Sequence, residues 1–168
     1  NTEKPLTFLP YLTGVNPPEF DANACGVFYG ISLKHDQYDF ALAIMSGVAL
    51  LLKKNIDFFK LSNIKVEKII STGGGAKSAL WSQIKADICN VPVVIPKNQE
   101  APCLGAAIIG AVSSGFFVSY ATAIANAVQM ERIYYPNANR DLFEQQFALF
   151  NKVYDSSLNI ANYQEIRQ

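Results

Sequence analysis

The residues with the most chemical promise lie in one run, Ser71 to Asp87, which reads STGGGAKSALWSQIKAD. Gly73, Gly74 and Gly75 stand between a β-branched segment and a stretch of helical periodicity, so they make the turn from a strand into a helix. A turn without side chains exposes backbone N–H groups. The start of the following helix adds positive potential, and together they suit an anion or a nucleotide approaching closely. Lys77 and Ser78 stand at the helix entrance, within reach of such a ligand. The spacing is not that of a P-loop, which needs Gly-x-x-x-x-Gly-Lys-Ser/Thr. Nor is it the dinucleotide fingerprint Gly-x-Gly-x-x-Gly, because Lys77 and Ser78 stand where the last glycine belongs. By spacing alone the run is a nucleotide wall or merely a tight turn.

Other chemistry-bearing residues are sparse. His35 is the only histidine, a poor start for a zinc site or a catalytic triad. Cys25, Cys89 and Cys103 have no metal-like spacing. They read as reduced, mostly buried thiols, with a cytoplasmic location as the default. Neither a metal site nor a catalytic residue is assigned. Lys plus Arg and Asp plus Glu both number 14, which argues against a basic nucleic-acid surface or an acidic tail. The longest apolar run, Leu104 to Val112, falls short of the roughly 20 residues that span a bilayer, so no membrane partner is expected. The opening NTEKPLTFLP lacks the basic and apolar pattern of a signal peptide.

The elements that position the glycine run follow from periodicity and punctuation. Half of the 168 residues are apolar, enough for the core of one domain or one lobe. Residues 1–24, with Pro5, Pro10, Gly14, Pro17 and Pro18, read as irregular. Gly26–Ser32 reads as a short strand. Asp36 is placed to cap a helix, Asp39 adds charge to its first turn, and Phe40, Ile44, Val48 and Leu52 extend it to about Phe59. Val66–Thr72 is a strand, Lys77–Cys89 a helix with Trp81, Ile84 and Ile88 on one face, and Pro92–Ile95 a buried strand. Glu100–Ser114 is a helix with Pro102 in its first turn, closed by Gly115. This strand–helix–strand–helix order predicts an α/β unit with parallel pairing. Ser119 caps a helix to about Met130, Arg132–Tyr135 is extended, and Asn139 caps a terminal helix. The stripe Phe143, Phe147, Phe150 and Tyr154 on that helix reads as a docking surface.

The glycine run resembles the GGGAKS-x-LW-x-Q-x-x-AD signature of the FGGY carbohydrate kinases, in the form of its xylulose-kinase-like members. The match runs through Gly73, Gly74, Gly75, Ala76, Lys77, Ser78, Leu80, Trp81, Gln83, Ala86 and Asp87. Pro92-Val93, Glu100 and Leu104-Gly105-Ala106-Ala107 follow in the order of the family's E-x-x-x-LGAA helix. Upstream, Leu9-Pro10-Tyr11-Leu12 with Gly14, and Gly26, Phe28, Gly30 and His35, resemble two further family motifs. The resemblance covers roughly residues 6–160.

The resemblance implies one lobe of the actin-like, hexokinase-like ATPase fold: α/β, a short mixed sheet flanked by helices, with extra C-terminal helices. Residues 1–168 would be the C-terminal, nucleotide-binding lobe, without its first hairpin and without the N-terminal lobe. The implied reaction passes the γ-phosphoryl group of ATP to a sugar hydroxyl, D-xylulose or a related pentulose, with Mg2+ held mainly outside this chain. Gly73, Gly74, Gly75, Ala76, Lys77 and Ser78 match the segment that contacts the adenosine portion of ATP. Gly105, Ala106 and Ala107 would let their helix pack close behind that loop. The family's general base would lie outside the chain, so the 168 residues alone are expected to be inactive. The exposed inner face would suit a homodimer.

Five residues in three motifs depart from the family pattern, each with loss of a charge: Val15 and Asn16 in the Gly14-Val15-Asn16-Pro17-Pro18 loop, Cys25 in Ala24-Cys25-Gly26, and Leu42 and Ser46 on the long helix. They keep open an alternative, a non-catalytic nucleotide-binding or regulatory module of the same superfamily.

Overall fold

Asp36 starts the first long element. Its carboxylate accepts from the N–H groups of Tyr38 and Asp39, and the Asp39 carboxylate accepts from the Asp36 N–H at 3.0 Å, a reciprocal capping box. Helix α1 then runs Gln37–Leu61, with Lys60 in its last turn complementing the negative end of the helix dipole. The computed structural model describes residues 6–15, 19–137 and 140–165. In chain order they form β1 (Thr7–Leu9), β2 (Val27–Tyr29), α1, β3 (Ile69–Ile70), a 3-10 turn (Gly74–Ala76) and α2 (Ala79–Cys89). Then come β4 (Val93–Pro96), α3 (Ala101–Ser113), α4 (Tyr120–Ala127), β5 (Met130–Tyr134) and α5 (Arg140–Glu165).

The strands make two small sheets among the described residues. β1 and β2 pair antiparallel, with Phe8 opposite Phe28. β3 pairs parallel with β4, Ile69 opposite Val93 and Ile70 opposite Val94, as the strand–helix–strand order predicts. β5 lies antiparallel on the far side of β4. All four residues of β4 are buried, which suits its continuous apolar run at the centre of the sheet.

The main core lies between β1 and helices α1, α2 and α5. Leu9, Ala49 and Phe150 are fully buried, joined by Tyr11, Leu50, Ile88 and Tyr154. The Tyr11 ring stands 5.0 Å from Tyr154 and 6.1 Å from Phe150. The aromatic stripe of α5 is therefore a docking surface, and it docks on the chain's own first strand and α1. Gly47 is what lets α1 come so close to β1: a Cβ there would run into the Phe8 carbonyl oxygen.

Several elements differ from the sequence reading. A strand, β1, sits within the proline-rich opening segment, because Thr7–Leu9 finds a pairing partner in β2. The strand expected over Val66–Thr72 is only Ile69–Ile70, although the Ser71 N–H still bonds the Val94 carbonyl at 3.0 Å. The buried residues of α1 are Ala43, Gly47, Ala49, Leu50, Lys53 and Ile56, while Ile44 is exposed. Residues spaced by four drift about 40° per step around a helix of 3.6 residues per turn, so a four-residue stripe spirals off the contact face. α4 ends at Ala127 rather than near Met130, because Met130 enters the ladder with β4. Of the three cysteines only Cys89 is buried; Cys25 and Cys103 are exposed. Asn139 lies outside the described residues, as do Pro5, Asn16, Pro17 and Pro18.

Candidate functional site at the glycine loop

The chain leaves β3 at Ser71 and turns at Gly73, whose φ of 73° and ψ of −161° are accessible essentially only to glycine. The Gly73 N–H bonds the Gln99 carbonyl at 3.2 Å, tying the loop to the turn before α3. Gly74–Ala76 then form the 3-10 turn, closed by bonds from the Ala76 N–H to the Gly73 carbonyl and from the Lys77 N–H to the Gly74 carbonyl. As the first donors of that turn, the Gly74 and Gly75 N–H groups have no acceptor among the described residues. Nothing lies within 4 Å of where a Cβ on Gly73 or Gly74 would be. The loop thus presents a flat face with two free donors and open space in front of it.

Behind that face the loop is firmly backed. Ala76 is buried between Ala86, Val93 and Ile95. A Cβ on Gly75 would stand 3.2 Å from the Trp81 ring, so the indole forms the wall behind the turn. Trp81 Nε1–H donates to the Met45 carbonyl at 3.1 Å, which pins α2 against α1. Gln83 Nε2 donates to Asp87 Oδ1 and to the Tyr135 carbonyl, both at 2.9 Å, and Asp87 Oδ1 also accepts the Asn137 N–H. Gln83 and Asp87 therefore hold the segment after β5 against α2. The signature divides into an open half, Gly73 and Gly74, and a half that fixes the scaffold, Trp81, Gln83 and Asp87.

The sequence reading placed Lys77 as the first residue of the helix. Instead it closes the 3-10 turn, and α2 begins at Ala79 with Ser78 as its cap. Ser78 Oγ accepts the Trp81 N–H at 3.2 Å, which leaves its own proton free to donate. Lys77 is exposed and contributes to an open cavity of about 490 Å³ beside the loop, with Lys97, Asn98, Gln99, Ala127 and Gln129. All six expected site residues are thus contiguous: Gly73, Gly74, Lys77 and Ser78 lie open, Gly75 offers its N–H but is backed on its Cβ side by Trp81, and Ala76 is filling.

Lys85 was not foreseen in the sequence. It is 8% exposed, and its Nζ donates to Ser71 Oγ at 2.7 Å and stands 5.4 Å from the Trp81 ring centroid. No carboxylate pairs with it among the described residues, and burial pushes its ammonium below the usual lysine range. The signal that could have found it is a lysine on the apolar face of α2, one turn before Cys89. His35 Nδ1 accepts the Ser32 N–H at 3.0 Å and closes the turn before α1. The expectation that Gly105, Ala106 and Ala107 pack behind the loop fails. α3 has no buried residue, nothing lies within 4 Å of a Cβ on Gly105, and the helix lies along α4 instead. Among the described residues no three His, Cys, Asp or Glu side chains cluster to hold a metal, and no helix is long and apolar enough to cross a membrane.

Residues 2–114 match the model of the C-terminal domain of the FGGY family of carbohydrate kinases. The chain is 37% identical over 150 residues to a xylulose kinase of Staphylococcus epidermidis, across 89% of this chain and 30% of that protein. A xyloylose kinase from Brucella ovis superposes with a TM-score of 0.84 at 25% identity, over 95% of this chain and 33% of that one. A Plasmodium falciparum glycerol kinase solved with ADP shares the fold, with a TM-score of 0.78 at 19% identity over 91% of this chain and 31% of that one. The chain spans about 30% of the length of the curated relatives it matches. Its mixed α/β fold is that of the sugar kinases within the actin-like ATPases. With the glycine-loop signature in place and two thirds of the chain matched, the protein belongs to the FGGY family of carbohydrate kinases, as its C-terminal domain.

Proposed function

We propose that residues 1–168 are the nucleotide-binding lobe of a sugar kinase, with Gly73, Gly74 and Ser78 forming the wall against which the adenosine part of ATP lies. One observation carries this: Gly73 and Gly74 face open space, and the Gly74 and Gly75 N–H groups lack acceptors on a rigidly backed turn. A flat wall with a few fixed donors binds a planar ligand and sets its orientation. Ser78 adds a hydroxyl proton beside it. ATP would supply the γ-phosphoryl group that passes to a sugar hydroxyl.

Phosphoryl transfer needs positioning and charge stabilisation more than covalent chemistry. This chain's residues would bind the nucleotide and align it. In this proposal the metal and the general base belong to other parts of the kinase, and no residue of this chain is assigned to either role. D-xylulose or a related pentulose is the proposed acceptor, from the likeness to xylulose kinases. A non-catalytic module is the second reading. It is favoured by the departures at Cys25 and Leu42, both exposed positions where the family pattern carries charge.

The test is a pair of measurements. ADP binding to the intact protein, read by calorimetry, should be detectable in the micromolar to millimolar range. Sugar-dependent ADP release should be absent from residues 1–168 alone and present when the remaining lobe is supplied. Turnover by the 168 residues alone, or no ADP binding by the intact protein, contradicts the proposal. ADP binding without turnover in the intact protein selects the second reading.

A further inference from the structure

The open cavity on the flank of the glycine loop lies between three segments. They are the end of the loop at Lys77, the turn into α3 at Lys97, Asn98 and Gln99, and the junction of α4 and β5 at Ala127 and Gln129. Its walls are joined by main-chain bonds. The Lys97 N–H donates to the Gln129 carbonyl at 2.8 Å, and the Gly73 N–H donates to the Gln99 carbonyl at 3.2 Å. These ties hold the concavity open without a ligand, and a preformed site loses less on binding.

The charge of the lining is one-sided. Lys77 and Lys97 contribute to it and no carboxylate does, in a chain whose formal charges sum to zero. Neither lysine has a carboxylate within ion-pair reach among the described residues. Asn98 Oδ1 is already taken by the Glu100 N–H at 3.0 Å, which leaves the Asn98 amide to act as a donor. Gly74 and Ser78, which define the nucleotide wall, do not line the cavity.

Two unpaired cations and side-chain amide donors describe a ligand with a phosphate at one end and hydroxyl groups at the other. We infer that this cavity binds a small phosphate monoester of a polyol, at a site separate from the nucleotide wall. The lysines take the phosphate by charge-assisted hydrogen bonds, and the amides take the hydroxyls.

The experiment titrates inorganic phosphate and glycerol 3-phosphate into the intact protein by calorimetry, beside Lys97→Met and Gly74→Gln. Lys97 is an exposed side chain, so its replacement leaves the fold in place, and circular dichroism checks this. Both probes should bind the native protein, the ester more tightly than the ion because its hydroxyls reach the amides. Lys97→Met should weaken both about tenfold or more, the scale of a lost charged hydrogen bond, and leave ADP affinity unchanged. Gly74→Gln should weaken ADP and spare the phosphate probes.

No binding of either probe to the native protein overturns the inference, as does binding that Lys97→Met leaves intact. Equal affinity for the ion and the ester makes this a bare anion site and overturns the polyol assignment. Parallel loss of ADP and phosphate in Lys97→Met makes the cavity part of the nucleotide site and also overturns it. Failure of ADP to bind, with phosphate retained, sinks the nucleotide proposal alone.

Discussion

At Gly73 the backbone occupies a region closed to residues with a Cβ; at Gly74 there is room for a side chain; at Gly75 the Trp81 ring fills that room. The three glycines look alike in the sequence, and only the fold separates a conformational need from an open face and a packed one. Ser78 is similarly double. A polar residue at a helix entrance was legible, but its acceptance of the Trp81 N–H makes it a cap first. Ser78→Ala should therefore cost roughly 1 kcal/mol of stability in urea unfolding, and Ser78→Asn much less. Lys85 was not legible, because its meaning depends on Ser71 and Trp81 across the strand–helix unit. Its native pKa lies below the unfolded value of 10.5. Between the two values the unfolded chain binds more protons, so stability rises with pH there. Lys85→Met should flatten that alkaline rise in unfolding curves measured between about pH 8 and pH 11.

Elements whose ends are written in local chemistry were readable. The Asp36–Asp39 pair fixed the start of α1, Asn90 in the left-handed conformation ends α2, and Gly115 with φ 78° follows α3. Elements whose extent depends on partners were not. β1 and β3 are set by pairing with β2 and β4, and α4 stops where β5 begins to pair. The place of α3 was misread, since small residues permit a close contact without saying with what. Nothing local in the sequence marks Gly47 as a packing residue. Its need comes from the Phe8 carbonyl on a strand far away in sequence. The clash is with backbone, which cannot rotate aside, so Gly47→Ala should destabilise by at least about 1–3 kcal/mol, read as a lowered denaturation midpoint.

At the scale of the molecule, α5 closes the core begun by β1, and its Glu144 meets Lys53 of α1 at 3.4 Å. Lys53 also holds Asp57 at 3.0 Å, and Lys60 holds it at 2.6 Å. Burial alone would raise the Asp57 carboxyl, but the two lysine bonds outweigh it and keep it below the usual carboxylate range. The stability it contributes is present above the unfolded pKa and is lost as pH falls through the folded one. Asp57→Asn should therefore flatten the acid limb of a stability–pH profile. The central claim, that the open face of the glycine loop is a nucleotide wall, has a direct test at Gly74. A Cβ there has nothing within 4 Å and the position is exposed, so Gly74→Gln should leave unfolding stability within about 0.5 kcal/mol. ADP affinity, measured by calorimetry on the intact protein, should fall about tenfold or more, because the new side chain stands where the nucleotide lies. Unchanged ADP affinity in a stably folded Gly74→Gln protein would contradict the account.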